Sequence, residues 1–315
     1  MPELPEVETV ARGLQREVAG LRIESIFLGK ADFIDDPAAL ERELPGKVIA
    51  RVERFGKFLL LRLAGGAGSA NAEEALLVHL GMTGILLPRP VTEPRVKHTH
   101  VVFTLEDNRE LRFIDPRRFG RIAFLAGATL KRELERFGAD PLEISSEEFS
   151  ALIRGRRARI KAMLLDQSVL RGVGNIYADE SLWTARVHPA QTGERLSLAT
   201  AGVLHASLQK ILRNAIELRG SSISDFVDAD GAPGEYQLHH QVYGGAGKPC
   251  PRCSTRIRRI VVAGRSSFFC PACQRAPRGR KEFKVRAQRR AKATHRAKRK
   301  SRRSAKRNRR RKNSR

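Results

Sequence analysis

Residues 159–183 read RIKAMLLDQSVLRGVGNIYADESLW. Two helical stretches flank VLRGVGN, which predicts two helices joined by a double turn. Gly172 and Gly174 permit the tight turns, and Asn175 is a candidate cap for the second helix. The free backbone N–H groups at the start of that helix make a ready phosphate site. Taken locally, the pattern fits an ordinary helical hairpin as well as a DNA-binding one, and the surrounding sequence must separate the two.

Upstream, the period changes. Val7, Val10, Leu14 and Val18 recur at helical spacing, so 6–18 predicts an amphipathic helix, with Pro5 in its first turn and Glu6 and Glu8 at its positive end. Then LRIESIFLG, KVIARVERFGKFLLLRL, ALLVHLGMTGILL, HVVFTLED and RELRFIDPRRFGRIAFL follow as β-branched or aromatic runs, with turn signals such as LPGK and EDNR between them. Residues 1–126 therefore predict an N-terminal helix plus an antiparallel two-layer β-sandwich. The stretch AGGAGSANAEE, 64–74, reads as a flexible insertion between two strands. From about 127 onward helices are expected at 130–137, 146–154, 157–166, 175–185 and 197–218. The whole is α+β: a sandwich domain, then a mostly helical domain over 127–244. Its last part, GSSISDFVDADGAPGEYQLHHQVYG, is polar and Gly-rich and reads as a long functional loop.

All four cysteines stand in CPRC and CPAC, as Cys250, Cys253, Cys270 and Cys273, with 16 residues between the pairs. Two Cys-x-x-Cys knuckles let four thiolates converge on one ion, which suits a single structural Zn²⁺ over 245–275. Two disulfides are the competing reading, and they fit poorly in a cytosolic chain with no cysteine elsewhere. Four sulfur ligands leave no open position, so the metal is expected to fold the module and take no part in catalysis.

Charge is unevenly placed. Residues 274–315 hold 22 Lys and Arg and one acid, Glu282, so they carry +21 of the net +26 and leave +5 for 1–273. Such a run cannot bury a core, and 276–315 is expected to be disordered and to attract polyanions with little sequence preference. It also has the composition of a nuclear-localisation signal. The 315 residues suffice for two ordinary domains, and 41% are hydrophobic. No run approaches the ~20 apolar residues of a membrane span, and no basic-then-apolar leader opens the chain. A cytoplasmic, monomeric protein without membrane contact is expected.

MPELPEVETVARGL at the N-terminus, the lone Lys57 in RFGKFLL, HLGMTG, DPRRFGR, GVGNIYADESLW and the double CxxC finger occur in that order. Together they resemble formamidopyrimidine-DNA glycosylase, the bacterial repair enzyme for oxidised purines, over about residues 1–275. The resemblance implies damaged double-stranded DNA as partner, one zinc, and a bifunctional glycosylase and AP lyase, nucleoid-associated in a bacterial cytoplasm. It also gives the proline after Met1 a purpose. If Met1 is removed, Pro2 carries a secondary amine whose pKa of about 8 leaves a useful unprotonated fraction at neutral pH. In the family that amine attacks C1′ of the damaged nucleotide as a Schiff-base nucleophile, and β- then δ-elimination cleaves the strand. Glu3 acts as general acid and base, and Glu6 helps hold the site.

The same resemblance implies the DNA contacts. Extruding a base leaves a hole in the stack. Met82, Arg117 and Phe119 match the family's void-filling residues, a thioether and a phenyl ring to wedge and a guanidinium to bond the orphaned base. Lys57, Asn175 and Arg265 match residues that grip the phosphates around the lesion, with Lys57 and Arg265 also counted in the catalytic group. Lys161 matches a lysine near the lesion or its phosphate. His98 and Tyr236 complete the DNA contacts, Tyr236 from the loop that closes over the extruded base. Loop residues 220–235 do not fix the lesion preference. Two alternatives remain: an endonuclease VIII-type glycosylase for oxidised pyrimidines, against which PELPEVE and DPRRFG argue, and a non-catalytic zinc-finger DNA-binding protein, from which chemistry at Pro2 would separate it.

Overall fold

The computed structural model describes residues 1–65, 73–223 and 226–276. Most of the connection expected at 64–74, two residues of the 220–235 loop, and the basic tail from 277 lie outside those residues. Helix α1 (Leu4–Val18) opens the chain, starting two residues earlier than the apolar period suggests. Pro5 fits its first turn, and the Glu3 amide donates to Glu6 Oε2 at 2.7 Å, closing the helix start.

Eight antiparallel strands follow: β1 (Ile23–Leu28), β2 (Val48–Phe55), β3 (Phe58–Ala64), β4 (Glu74–His79), β5 (Ile85–Pro90), β6 (Thr99–Leu105), β7 (Arg109–Ile114) and β8 (Arg121–Ala126). They form two four-stranded sheets, ordered β1-β6-β7-β5 and β2-β3-β4-β8. Alternating inward residues of both sheets, such as Leu59, Leu61, Val101 and Phe103, form one core with Val7, Val10, Leu14 and Val18 of α1. One helix was not expected. α2 (Pro37–Glu43) forms between β1 and β2 because Asp36 accepts the Ala39 amide at 3.0 Å and Pro37 presets the first turn.

The second half is helical: α3 (Gly127–Leu134), α4 (Ser146–Ile153), α5 (Ile160–Leu165), α6 (Asn175–Thr184) and α7 (Leu198–Glu217). Its core gathers Phe149, Ile160, Leu164, Tyr177, Leu182, Leu204 and Leu208, and it also takes in Leu4. α6 is buried along nearly its whole length, from Ile176 to Trp183, which explains why hydropathy gives it no polar face. A two-stranded hairpin, β9 (Arg258–Val262) and β10 (Arg265–Phe269), closes the described chain between the two cysteine pairs. Among the described residues no helix is long and apolar enough to cross a membrane.

Candidate active site and DNA-facing surface

The N-terminus is pressed onto the double turn. The Leu4 amide donates to Gly172 O at 3.0 Å, and the Glu3 carboxylate accepts from the Ile176 amide at 3.1 Å. Glu3 therefore serves the positive end of α6, where free amides favour an anion. This corrects the expected role of Asn175 as the cap. The N-cap position is Gly174, Asn175 is the first helical residue, and a carboxylate from the other end of the chain meets the free amides. Gly174 is needed for room and not for turn geometry: a Cβ there would lie 2.2 Å from the Glu3 carboxyl carbon.

Behind Glu3 lies Glu6, wholly buried. Its carboxylate accepts from the Tyr177 hydroxyl, from the Ser221 amide at 2.7 Å and from the Glu3 amide. Burial and the neighbouring Glu3 charge push its pKa up to about 7, against the lowering effect of those donors. Ser221 Oγ lies 3.0 Å from His240 Nε2, extending the polar chain outward.

Lys57 arrives from the β2–β3 turn. Burial holds its pKa below the usual lysine range; Glu3 and Glu6 oppose that, and Arg265 adds to it. Lys57 is itself buried. Arg265 itself is exposed at the start of β10. Pro2 is buried, whereas Met1 is 48% exposed.

Two turns of the sandwich carry the next group. Met82 follows β4 and is 39% exposed; Phe119 lies between β7 and β8 and is 55% exposed. The Arg117 guanidinium stacks 4.5 Å over the Phe119 ring. His98, half-buried and at φ 71°, sits nearby, its carbonyl accepting from the Asp115 amide at 3.1 Å.

Two expected DNA contacts are elsewhere. Lys161 is wholly buried, its Nζ 2.7 Å from Asp179 Oδ1 and donating to Ser266 O at 2.8 Å. Asp179 Oδ2 in turn accepts from the Phe268 amide at 2.9 Å. A cation so enclosed holds the β9–β10 hairpin against α6 and offers nothing to a phosphate. Tyr236 is also buried, its ring centroid 5.5 Å from that of Tyr177, so it packs in the helical core instead of facing the surface. Asp179 and its neighbour Glu180 escaped the sequence reading. Glu180 accepts from the amides of Gln241, Val242 and Tyr243, so α6 grips the 241–243 segment as well as the hairpin. Their sequence signal is two adjacent acids in the middle of a buried helix.

The four cysteine sulfurs lie within 4.8 Å of one another. A tetrahedron of Zn–S bonds of about 2.3 Å places sulfurs about 3.8 Å apart, so Cys250, Cys253, Cys270 and Cys273 fit one zinc. The Trp183 indole N–H points at Cys250 Sγ, 3.4 Å away, tying the knuckle to α6.

The chain is 42% identical over 279 residues to the formamidopyrimidine-DNA glycosylase of Herpetosiphon aurantiacus, covering 87% of this chain and 100% of that protein. It belongs to the formamidopyrimidine-DNA glycosylase family. The protein of the same name from Solibacter usitatus is 43% identical over 277 residues, again with 87% and 100% covered. The family's N-terminal domain matches residues 1–122, its H2TH domain 137–227, and a zinc finger found in FPG and IleRS 247–276. Among solved structures, Lactococcus lactis Fpg in complex with DNA containing an abasic site superposes with TM-score 0.79 at 34% identity, covering 87% of this chain and 100% of that one. MutM in complex with DNA containing carbocyclic 8-oxo-G gives the same values. One zinc held by four cysteines is thus a property of family and chain alike.

Proposed function

We propose that the protein is a bifunctional DNA glycosylase and AP lyase of base excision repair that removes oxidised purines from duplex DNA. One observation carries this reading: the Glu3 carboxylate, next in the chain to Pro2, is fixed on the amides of α6, and the buried Lys57 feels the charges of Glu3 and Arg265. After removal of Met1, the Pro2 nitrogen is a secondary amine that attacks C1′ as the bond to the base breaks. The base leaves with the glycosidic electron pair and takes up a proton. Ring opening at the sugar, with a proton moved by Glu3, gives an imine between Pro2 and C1′. The imine acidifies the C2′ proton; its loss expels the 3′ phosphate, and a second elimination expels the 5′ phosphate. Water finally releases the sugar fragment from Pro2.

The remaining groups position DNA. Lys57 and Arg265 neutralise phosphates near the lesion, and the Asn175 side chain at the start of α6 adds a polar contact to the DNA backbone. Met82, Phe119 and Arg117 fill the gap left by the extruded nucleotide. The zinc, bound by its four cysteines, folds the hairpin that presents Arg265 and leaves no coordination position for substrate. The protein acts as a monomer on chromosomal DNA in a bacterial cytoplasm, and its basic tail adds sequence-independent affinity.

Borohydride trapping tests the reading. The protein is incubated with a duplex bearing one 8-oxoguanine opposite cytosine, reduced, and mapped by mass spectrometry. An adduct on Pro2 is expected. Trapping on an oxidised-pyrimidine duplex alone would move the substrate class, and no adduct on either, with DNA binding intact, would overturn the catalytic reading.

A further inference from the structure

Asp115 is fully buried. A buried carboxylate is costly unless its lone pairs are met by donors. Here they are met from two directions. Oδ1 accepts from the Thr83 hydroxyl at 2.7 Å and from the Arg117 amide at 3.2 Å, and Oδ2 accepts from the Gly120 amide at 2.9 Å. The Asp115 amide donates to His98 O, and its carbonyl accepts from the Arg118 amide. Thr83 adjoins Met82, and Arg117 to Gly120 bracket Phe119. Asp115 therefore joins the turn after β4 to the turn after β7 through its carboxylate, and holds the backbone at His98 through its amide.

The two turns also touch directly. Gly81 has φ +64°, and a Cβ there would lie 2.4 Å from the Phe119 carbonyl carbon. Beyond this base the side chains reach outward: Met82 and Phe119 are both exposed, and the Arg117 guanidinium rests on the Phe119 ring. A wedge that enters a base stack must keep its spacing while its tips leave all protein contact. Among the described residues, the Asp115 carboxylate accepts from both the Thr83 hydroxyl, beside Met82, and the Arg117 amide, and so bridges the two turns.

We infer that Asp115, through Thr83, is the positioning residue that fixes the mutual spacing of Met82, Arg117 and Phe119, and so sets how faithfully the base opposite the lesion is read. This rests on the wedge role given to those three residues above. Asp115 touches no reacting atom; it acts through the turns. Asp115→Asn keeps the shape but exchanges one acceptor oxygen for an NH₂ donor that must face a backbone N–H, that of Arg117 on one side or of Gly120 on the other, so one hold on the Arg117–Gly120 turn becomes donor against donor. Thr83→Val removes only the hydroxyl and leaves the turn its β-branched shape.

The test compares wild type, Asp115→Asn and Thr83→Val in three measurements. Single-turnover excision of 8-oxoguanine is timed opposite cytosine and opposite adenine. AP lyase is measured on a single-stranded abasic oligonucleotide, which has no stack to fill. Fluorescence of 2-aminopurine placed opposite a tetrahydrofuran site reports wedge entry on binding, without any chemistry. The expected result is a roughly tenfold or greater loss of duplex excision in Asp115→Asn, a smaller loss in Thr83→Val, and a cytosine-to-adenine ratio that moves toward one in both. Single-strand lyase stays within about twofold, and the 2-aminopurine response is weakened in both variants. Parallel loss of single-strand lyase would show general damage to the fold and overturn the inference. So would an unchanged opposite-base ratio and unchanged fluorescence in both variants. A wild type that excises neither lesion would sink the proposed function, while the fluorescence would still decide the role of Asp115.

Discussion

Replacing Lys161 by Met discriminates between a structural cation and a phosphate contact. Lys161 Nζ sits 2.7 Å from Asp179 Oδ1, and both side chains have no solvent exposure. Burial lowers the Lys161 pKa and raises that of Asp179, to about 7, while their mutual attraction opposes both shifts. The pair is therefore compensated only as a pair. Removing one partner of such a buried pair costs about 3–5 kcal/mol, because the other is left uncompensated. For a protein of this size that is a fall in melting temperature on the order of 10 °C. The same substitution orphans Ser266 O, next to Arg265, so the hairpin loosens. Lys161→Met combined with Asp179→Asn should recover most of the loss, because the amide oxygen can still accept from the Phe268 N–H. Thermal unfolding by circular dichroism reads the stability, and DNA affinity between 50 and 200 mM salt, on the order of the range where phosphate contacts show, reads the charge. A buried Lys161 makes no phosphate contact of its own, so any fall in the logarithmic salt slope comes together with the fall in melting temperature. If the single variant keeps its melting temperature and its slope falls by about 0.9, Lys161 is a phosphate contact and the buried assignment is wrong.

Glu6 predicts a pH dependence of stability. Its folded pKa of about 7 stands above its ordinary 4.5, so its contribution is fully present below about 4.5 and is lost as pH rises through about 7. The loss is on the order of 3 kcal/mol, and Glu6→Gln should remove it; urea titrations at pH 5 and pH 8 that show the same difference in both proteins would refute this. Chelation of zinc, or Cys273→Ser, should lower affinity for abasic duplex by unfolding the hairpin that carries Arg265, measured by anisotropy; an unchanged Kd in metal-free protein contradicts it. Deleting 276–315, which removes most of the +21 carried by the C-terminal segment, should weaken binding to undamaged DNA and flatten its salt dependence without altering which base is excised. A changed lesion spectrum in product analysis would give the tail a role beyond affinity.

Much of the architecture is legible in the sequence because period and turn chemistry agree there. The strand runs separated by LPGK and EDNR became β-strands, and the spacing of Val7, Val10, Leu14 and Val18 placed α1 against the sandwich core. α2 went unread although Asp36 and Pro37 form a regular helix start, because the neighbouring strand pattern dominated the window. The zinc ligands were legible from spacing alone, since chelation demands four thiolates and the chain has only four cysteines.

The contacts between distant segments were not legible, and the reason is physical. Local sequence specifies caps and periods, whereas Glu3 meets α6 across more than 170 residues of chain. A helix start read as Asn175 capping its own turn is instead completed by the N-terminal carboxylate, and Gly174 owes its lack of a side chain to that carboxylate. Lys161 shows the converse. A lysine in a DNA-binding motif reads as a phosphate contact until the fold encloses it with Asp179, an acid that the sequence places in the same motif but on the next helix. Both cases point the same way: α6 is the element on which the proposed active site is assembled. Its amides hold Glu3, Tyr177 holds Glu6, Asp179 holds the Arg265 hairpin and Glu180 holds 241–243. A helix with so many buried polar duties cannot be recognised by amphipathicity, and the burial that erases its polar face is what fixes Glu3 and Glu6 beside the N-terminus.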